Sequence, residues 1–293
     1  VNFCSLQSNA TKIRKKNMFT LYSKGKKKEI NKPLIMAVLN CTNDSFYEAS
    51  RANNLTAIQA KIDDFVKCGA DIIDVGGRSS RPGSVEISVE EEISRISDAI
   101  EYLTSTYPEQ WISIDTTSAE VARFAVERGG HIVNDISGGN IDPEMMDTVS
   151  QLQVPFICMH MQGTPDTMQK NPNYTNVVDD IYNFFKEKLI ECKNSGINQI
   201  IIDPGFGFGK TMAHNYQLVK NLSKFKTLNV PVLVGFSRKS MIYKLLNIKP
   251  EEALNGTTVL NTYALINGAS ILRVHDVKEA KEAMLILEAI QNA

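Results

Sequence analysis

The stretch Trp111–Ile136 reads W-I-S-I-D-T-T-S-A-E-V-A-R-F-A-V-E-R-G-G-H-I-V-N-D-I. It opens on a short run, Trp111–Thr116, that stays apolar or small until Asp115. A helical pattern follows and closes at Gly129, where a left-handed cap is needed. A second short run, His131–Ile136, turns polar again at Asn134 and Asp135. Runs this apolar are expected of parallel strands buried on both faces.

The same rhythm holds from residue 33 onward. Further runs are Leu34–Asn40, Asp71–Gly77, Phe156–His160, Gln199–Asp203, Val232–Phe236 and Ser270–His275, which brings the total to eight. Between them, Ala57–Cys68 places Ile58, Ile62, Phe65 and Val66 on one stripe, and Val89–Leu103 does so with Ile93, Ile96, Ile100 and Leu103. Asn176–Cys192 and Glu279–Ile290 are longer helical patterns, and Gly69, Gly196 and Gly268 stand at helix ends as Gly129 does. Eight β-then-α units predict an α/β protein of the (β/α)8 TIM-barrel class, with a doubly wound open sheet as the alternative. A chain of 293 residues suits one such barrel, read here as residues 18–293, with 1–17 a flexible extension.

Charge narrows the function. Residues 1–32 hold nine basic residues and one acid, so the rest carries 23 basic against 32 acidic residues, a net of −9. An acidic body excludes a broad nucleic-acid surface. The basic N-terminus reads as a solvated tail and first hairpin, with an acidic partner as the other reading. No apolar run is long enough to span a membrane. Five scattered cysteines, Cys4, Cys41, Cys68, Cys158 and Cys192, without a C-x-x-C pair, fit free thiols in a reducing compartment.

The strand ends carry the chemistry. They stop at Asn40, Asp74 with Arg81 beyond it, Asp115, Asn134 with Asp135, His160, Asp203, Ser237 with Lys239, and Arg273 with His275. In a barrel these positions ring one mouth. A lone Asp after a strand is usually a cap or turn residue; eight polar stops together indicate a site. Asp115, Asn134 and Asp203 supply acceptors and an amide near the floor, suited to the N–H/NH2 edge of an aminated heterocycle. Arg81, Arg273 and His275, with Asn40, supply donors and a cation ligand, suited to a phosphate or diphosphate.

D-P-G-F-G-F-G-K-T (203–211) resembles a phosphate loop, but Pro204 stands where such a loop needs glycine. Its glycines allow a tight turn carrying Phe206 and Phe208 over a flat substrate, or simply a strand-to-helix turn. Lys239, in S-R-K-S (237–240), suits a Schiff base, a hydrogen bond to a ring, or a structural ion pair. No H-E-x-x-H or G-x-S-x-G motif is present.

L-I-M-A-V-L-N (34–40), D-I-I-D-V-G-G (71–77), S-R-P-G (80–83), I-S-I-D-T (112–116), V-N-D-I-S-G-G (133–139), M-H-M-Q-G-T-P (159–165), the 203–211 block, G-F-S-R-K-S (235–240) and R-V-H-D-V (273–277) together resemble the dihydropteroate synthases. The resemblance runs from about residue 33 to the C-terminus. It implies transfer of the dihydropterin methylene group from 6-hydroxymethyl-7,8-dihydropterin diphosphate to p-aminobenzoate. It implies that Asp115, Asn134, Asp203 and Lys239 hold the pterin. Asn40, Arg81, Arg273 and His275 hold diphosphate and Mg2+, with Asn40 as the metal contact. Ser240, Pro82 and Phe206 lie beside p-aminobenzoate, and Ser80, Met159 and Gly207 belong to the same substrate set. Asp115, Asp203, Lys239, Arg273 and His275 are the catalytic group. It further implies a homodimer in the cytoplasm, acting on small molecules without nucleic acid or membrane.

The chain departs from the family in two loops. Residues 42–50 read T-N-D-S-F-Y-E-A-S where T-P-D-S-F-S-D-G-G is usual, and Arg78 stands where Glu is usual. Ala37 replaces a common glycine. The altered loops leave open a non-catalytic pterin-binding relative. A pterin-dependent methyltransferase or a Schiff-base aldolase are the other readings.

Overall fold

The computed structural model describes residues 19–42, 51–79, 85–165 and 167–293. An antiparallel hairpin, β1 (Phe19–Ser23) and β2 (Lys26–Ile30), comes first. Eight parallel strands follow: β3 (Leu34–Asn40), β4 (Ile72–Gly76), β5 (Trp111–Asp115), β6 (Ile132–Asp135), β7 (Phe156–Met159), β8 (Ile200–Asp203), β9 (Leu233–Val234) and β10 (Ile271–Val274). Helices α1 (Arg51–Lys67), α2 (Val89–Thr106), α3 (Ala119–Glu127), α4 (Met145–Leu152), α5 (Val177–Asn194) and α6 (Met212–Lys220) alternate with them; α7 (Ser240–Leu246) and α8 (Leu254–Ile266) separate β9 from β10, and α9 (Val277–Asn292) ends the chain.

The strands run in the order β8-β7-β6-β5-β4-β3-β10-β9. A parallel bridge, Ile202 to Val232, joins the two outer strands, and Ile202 N–H donates to Pro231 O at 3.0 Å. The sheet closes into the expected barrel, which excludes the open-sheet alternative. The run Val232–Phe236 pairs over only two residues as β9.

Alternation sorts the strand residues into two cores. The outer set, including Ile35, Leu39, Ile73, Val75, Ile112, Ile114 and Val133, meets Ile62, Phe65, Ile96, Ile100 and Leu103 of the helices. Each such side chain contributes roughly 1.5–3 kcal/mol of burial. The inner set, including Leu34, Met36, Ile72, Trp111, Ile132, Ile157, Ile201, Leu233 and Ile271, fills the lower barrel, and Leu21 and Ile30 of the hairpin close it from below. The hairpin's lysines are not simply solvated. Lys24 bonds the Val126 and Glu127 carbonyls at the end of α3, Lys26 bonds Pro108 O, and Lys28 bonds Asp71 O at 3.1 Å. Helix C-termini attract such cations.

The helices start at polar caps. Ser88 Oγ accepts from Glu91 N–H before α2, and Asn176 Oδ1 accepts from Val178 and Asp179 N–H before α5. The four glycines expected at helix ends all lie at positive φ. At Gly129 a Cβ would also stand 2.4 Å from Thr104 Cγ2, so the turn tolerates no larger residue.

Candidate active site

Two residues above the apolar inner layer, the inward positions become polar. Asp74 follows Ile72, Ser113 and then Asp115 follow Trp111, Asn134 follows Ile132, Asp203 follows Ile201, and Arg273 follows Ile271, whereas Met159 stays apolar above Ile157. Arg273 ties three of these strands together. Its Nε donates to Asp74 Oδ2 at 2.6 Å and its Nη2 to Asp115 Oδ2 at 2.5 Å. Asn134 Nδ2 donates to the same Asp74 oxygen at 3.0 Å. Asp74 Oδ1 and Ser113 Oγ are buried without a protein partner, so the floor retains unused polar capacity facing the lumen.

Across the barrel, Asp203 Oδ1 accepts from Gly205 N–H at 2.8 Å. Lys239 Nζ bonds Phe206 O and lies 4.5 Å from the centre of the Phe208 ring. His275 Nδ1 faces Ser237 Oγ at 3.0 Å.

The electrostatics follow from burial. Asp115 is pushed up to about 7, by burial and by neighbouring Asp74 and Glu92, against the pull of Arg273. Burial also raises Asp203, opposed by Lys239, the Gly205 N–H, Arg273 and Lys210. Burial and then Arg273 bring Lys239 down to about 8, despite Asp203 and Asp115. His275 falls to about 4 through burial and the nearby Arg273 charge. Burial works against the Arg273 charge, but Asp74 and Asp115 outweigh it and hold the guanidinium charged.

The structure brings Asp115, Asn134, Asp203, Lys239 and Arg273 together. Met159 is buried at the end of β7, Asn40 is half-buried at the end of β3, and Ser240 is half-buried as the first residue of α7. Ser80, Arg81 and Pro82 lie outside the described residues, as do residues 43–50 of the first altered loop.

Four expectations are corrected. Asp135 is not part of the mouth: it accepts from the Ser137 and Gly139 N–H groups as a turn residue. His160 is also turned away, buried against Phe184 and Tyr174. Both follow from alternation, because Asn134 and Met159 face inward and their successors must face out. Arg273 is not a rim cation; the floor acids hold it. Phe206 does not stand over the mouth, since it is fully buried with its ring 4.5 Å from that of Phe236, leaving Phe208 beside Lys239.

Ser113 was missed, although its place between Trp111 and Asp115 on one strand face marks it. Arg78, the charge reversal, donates to Thr117 Oγ1 at 3.1 Å. Burial raises Glu92 above the ordinary carboxylate range, opposed by a Thr116 hydrogen bond and by the charges of Arg78 and Arg95.

A closed barrel with this polar ring is the architecture of a pterin-binding enzyme, and the family model described as pterin binding enzyme matches residues 36–275. The chain belongs to that family, within its dihydropteroate synthases, which are transferases of folate synthesis. It is 42% identical over 275 residues to the dihydropteroate synthase of Escherichia coli strain K12, covering 93% of this chain and 97% of the relative. The Yersinia pestis dihydropteroate synthase in a sulfonamide drug complex is similar with a TM-score of 0.87 and 39% identity, covering 94% of this chain and 99% of that one. The Xanthomonas albilineans dihydropteroate synthase in complex with 7,8-dihydropteroate gives 0.85 and 34%, covering 94% and 99%.

Proposed function

We propose that the mouth joins a dihydropterin methylene group to the amine of p-aminobenzoate and releases diphosphate. The carrying observation is that Asp203, Asp115 and Asn134 share one lumen with Arg273 and Lys239. One molecule lying in that lumen can therefore meet both acceptors and cations. Asp203 accepts from the N–H/NH2 edge of the ring, and Lys239 donates to it. As the methylene–oxygen bond breaks, the electron-rich ring carries the developing positive charge, and Asp203 favours that charge. His275 donates to the departing anion, and Arg273, held on the floor by Asp74 and Asp115, adds its positive charge to the lumen. The arylamine forms the new carbon–nitrogen bond and loses a proton. No strong base is needed, because the aniline nitrogen is already nucleophilic.

Mg2+ fits the leaving-group end. Asn40 offers a hard amide oxygen at the end of β3, and among the described residues no cluster of three His, Cys, Asp or Glu side chains forms a closed cage. An ion held by one protein oxygen, substrate phosphates and water has this character. When bound it neutralises diphosphate charge.

The partner is a second copy of this chain. Adjacent helices α7, α8 and α9 expose Leu245, Leu246, Val259, Tyr263, Ile266, Leu285, Ile286 and Ile290. So much apolar surface on neighbouring helices suits a homodimer interface. No helix among the described residues is long and apolar enough to cross a membrane. Free Cys41, Cys68, Cys158 and Cys192 support a cytoplasmic site.

Diphosphate release with and without p-aminobenzoate and Mg2+ tests the reading. Release should require the arylamine. Retained pterin binding without release would instead mark a non-catalytic relative.

A further inference from the structure

The turn after β8 is clamped at several backbone groups. Gly207 N–H donates to Asn215 Oδ1 at 2.8 Å, and Gln169 Nε2 donates to Gly207 O at 2.7 Å. Tyr174 Oη–H donates to Gly209 O at 2.7 Å. At Gly205 an added Cβ would stand 2.0 Å from His160 O, so the turn lies directly on the end of β7. Lys210 sits beneath this contact with only 4% of its surface exposed. Its Nζ has three partners: Phe208 O at 2.8 Å, His160 Nδ1 at 3.1 Å and His160 O at 3.2 Å. Three acceptors match the three protons of an ammonium when His160 is the neutral tautomer protonated at Nε2 and accepts at Nδ1.

Taken with the pterin pocket described above, on which the inference rests, we infer that Lys210 is a positioning residue for Asp203. It acts in two ways. It staples the 203–210 turn to the end of β7, which aims Asp203 and presents Phe206 O to Lys239. Its buried charge also helps keep Asp203 a carboxylate able to accept the ring edge. The groups acting on Asp203 are Lys239, the Gly205 N–H, Arg273 and Lys210, all favouring its charge against burial. Burial pushes Lys210 well below the ordinary lysine value and the Lys239 charge adds to this, while Asp203 and the three hydrogen-bond partners favour the ammonium. His160 stays neutral beside it, held down to about 2 by burial and by the Lys210 charge.

The sign is fixed. Asp203 binds the ring edge as a carboxylate, so affinity falls as pH drops through its pKa. Removing the Lys210 charge moves that fall to higher pH. The test is calorimetric titration of the full-length protein with a pterin analogue between pH 5 and 8, using Lys210→Met, Lys210→Arg and Asn215→Ala. Lys210→Met should lose about tenfold in affinity at the acidic end, roughly 1.4 kcal/mol, with the fall displaced upward. Lys210→Arg, which keeps the charge, should hold the fall nearer its original place. Asn215→Ala loosens the turn without changing charge and should leave it in place. If Lys210→Met does not fold, Lys210→Gln replaces it with the same expected displacement. Binding by the parent protein with an unmoved fall in the uncharged variant overturns this inference alone. An equal displacement in Asn215→Ala also overturns it. Absence of analogue binding by the parent overturns the pocket assignment, and this inference with it.

Discussion

Arg273 and Asp74 lie 199 positions apart in the chain, yet Arg273 Nε donates to Asp74 Oδ2 at 2.6 Å inside the barrel. With the second bond to Asp115, this one guanidinium pairs with two strand-end acids on different strands. Removing one partner of a buried ion pair leaves the other uncompensated, a loss of about 3–5 kcal/mol. Arg273→Met should therefore lower the urea midpoint strongly, and Asp74→Asn in the same chain should recover part of the loss. Lys at position 273 should restore less than Arg, because an ammonium lacks the fork that reaches both acids. Equal midpoints for the parent and Arg273→Met would contradict this.

Asp203→Asn keeps the shape of the side chain but removes its charge. A hydrogen bond to a charged group is worth about 1.5–3 kcal/mol. Affinity for a pterin analogue at pH 7.5 should fall about 10- to 150-fold by calorimetry. Unchanged affinity would remove Asp203 from the pocket.

Lys239 sets an alkaline limit. Its folded pKa of about 8 lies below the ordinary lysine value of 10.5. Its contribution to stability is thus complete above 10.5 and lost as pH falls through about 8. Its donor charge runs the other way and disappears above about 8. The profile of kcat/KM for the pterin substrate should decline with a midpoint near pH 8. Lys239→Arg should remove that decline from the measured range.

His131 ties fold stability to acid. It stacks on Trp111 with ring centres 5.2 Å apart, and its Nδ1 accepts from Ile112 N–H at 3.2 Å. Burial and the hairpin cations Lys26, Lys24 and Lys28 hold it down to about 4. A depressed pKa gives stability that is present above the ordinary value of 6.5 and lost as pH falls through about 4. Denaturation midpoints should drop between pH 6.5 and 4, and His131→Gln, which keeps an acceptor, should flatten part of that drop.

The apolar face of α7–α9 predicts self-association. Val259 and Ile286 are 60% and 63% exposed, so an aspartate there costs little in an isolated subunit. Sedimentation velocity should show a dimer for the parent and a shift towards monomer for Val259→Asp or Ile286→Asp. A parent that sediments as a monomer would refute the interface.

The barrel was legible because buried parallel strands leave near-continuous apolar runs, and because Gly69, Gly129, Gly196 and Gly268 punctuate the helices. The floor of the site was legible for the same reason: Asp115, Asn134 and Asp203 interrupt runs that are otherwise apolar. What the runs do not carry is the face each residue takes at the strand end. Asn134 and Asp135 are adjacent and equally polar, and only the pleat separates a lumen residue from a turn residue. Nor does composition reveal pairing across the barrel, so Arg273 read as a free rim cation although two acids hold it. The role of Lys210 is not legible, because it follows a glycine-rich turn that fails the phosphate-loop pattern.

The hairpin seated under the barrel turns the lumen into a blind well. Whatever settles against the Asp203 wall must arrive before anything docks above it, and a joined product has to leave by the way its halves came in. Steady-state kinetics should then show a compulsory order, with the deep reactant first. An excess of the shallow reactant should slow turnover wherever it caps a vacant well.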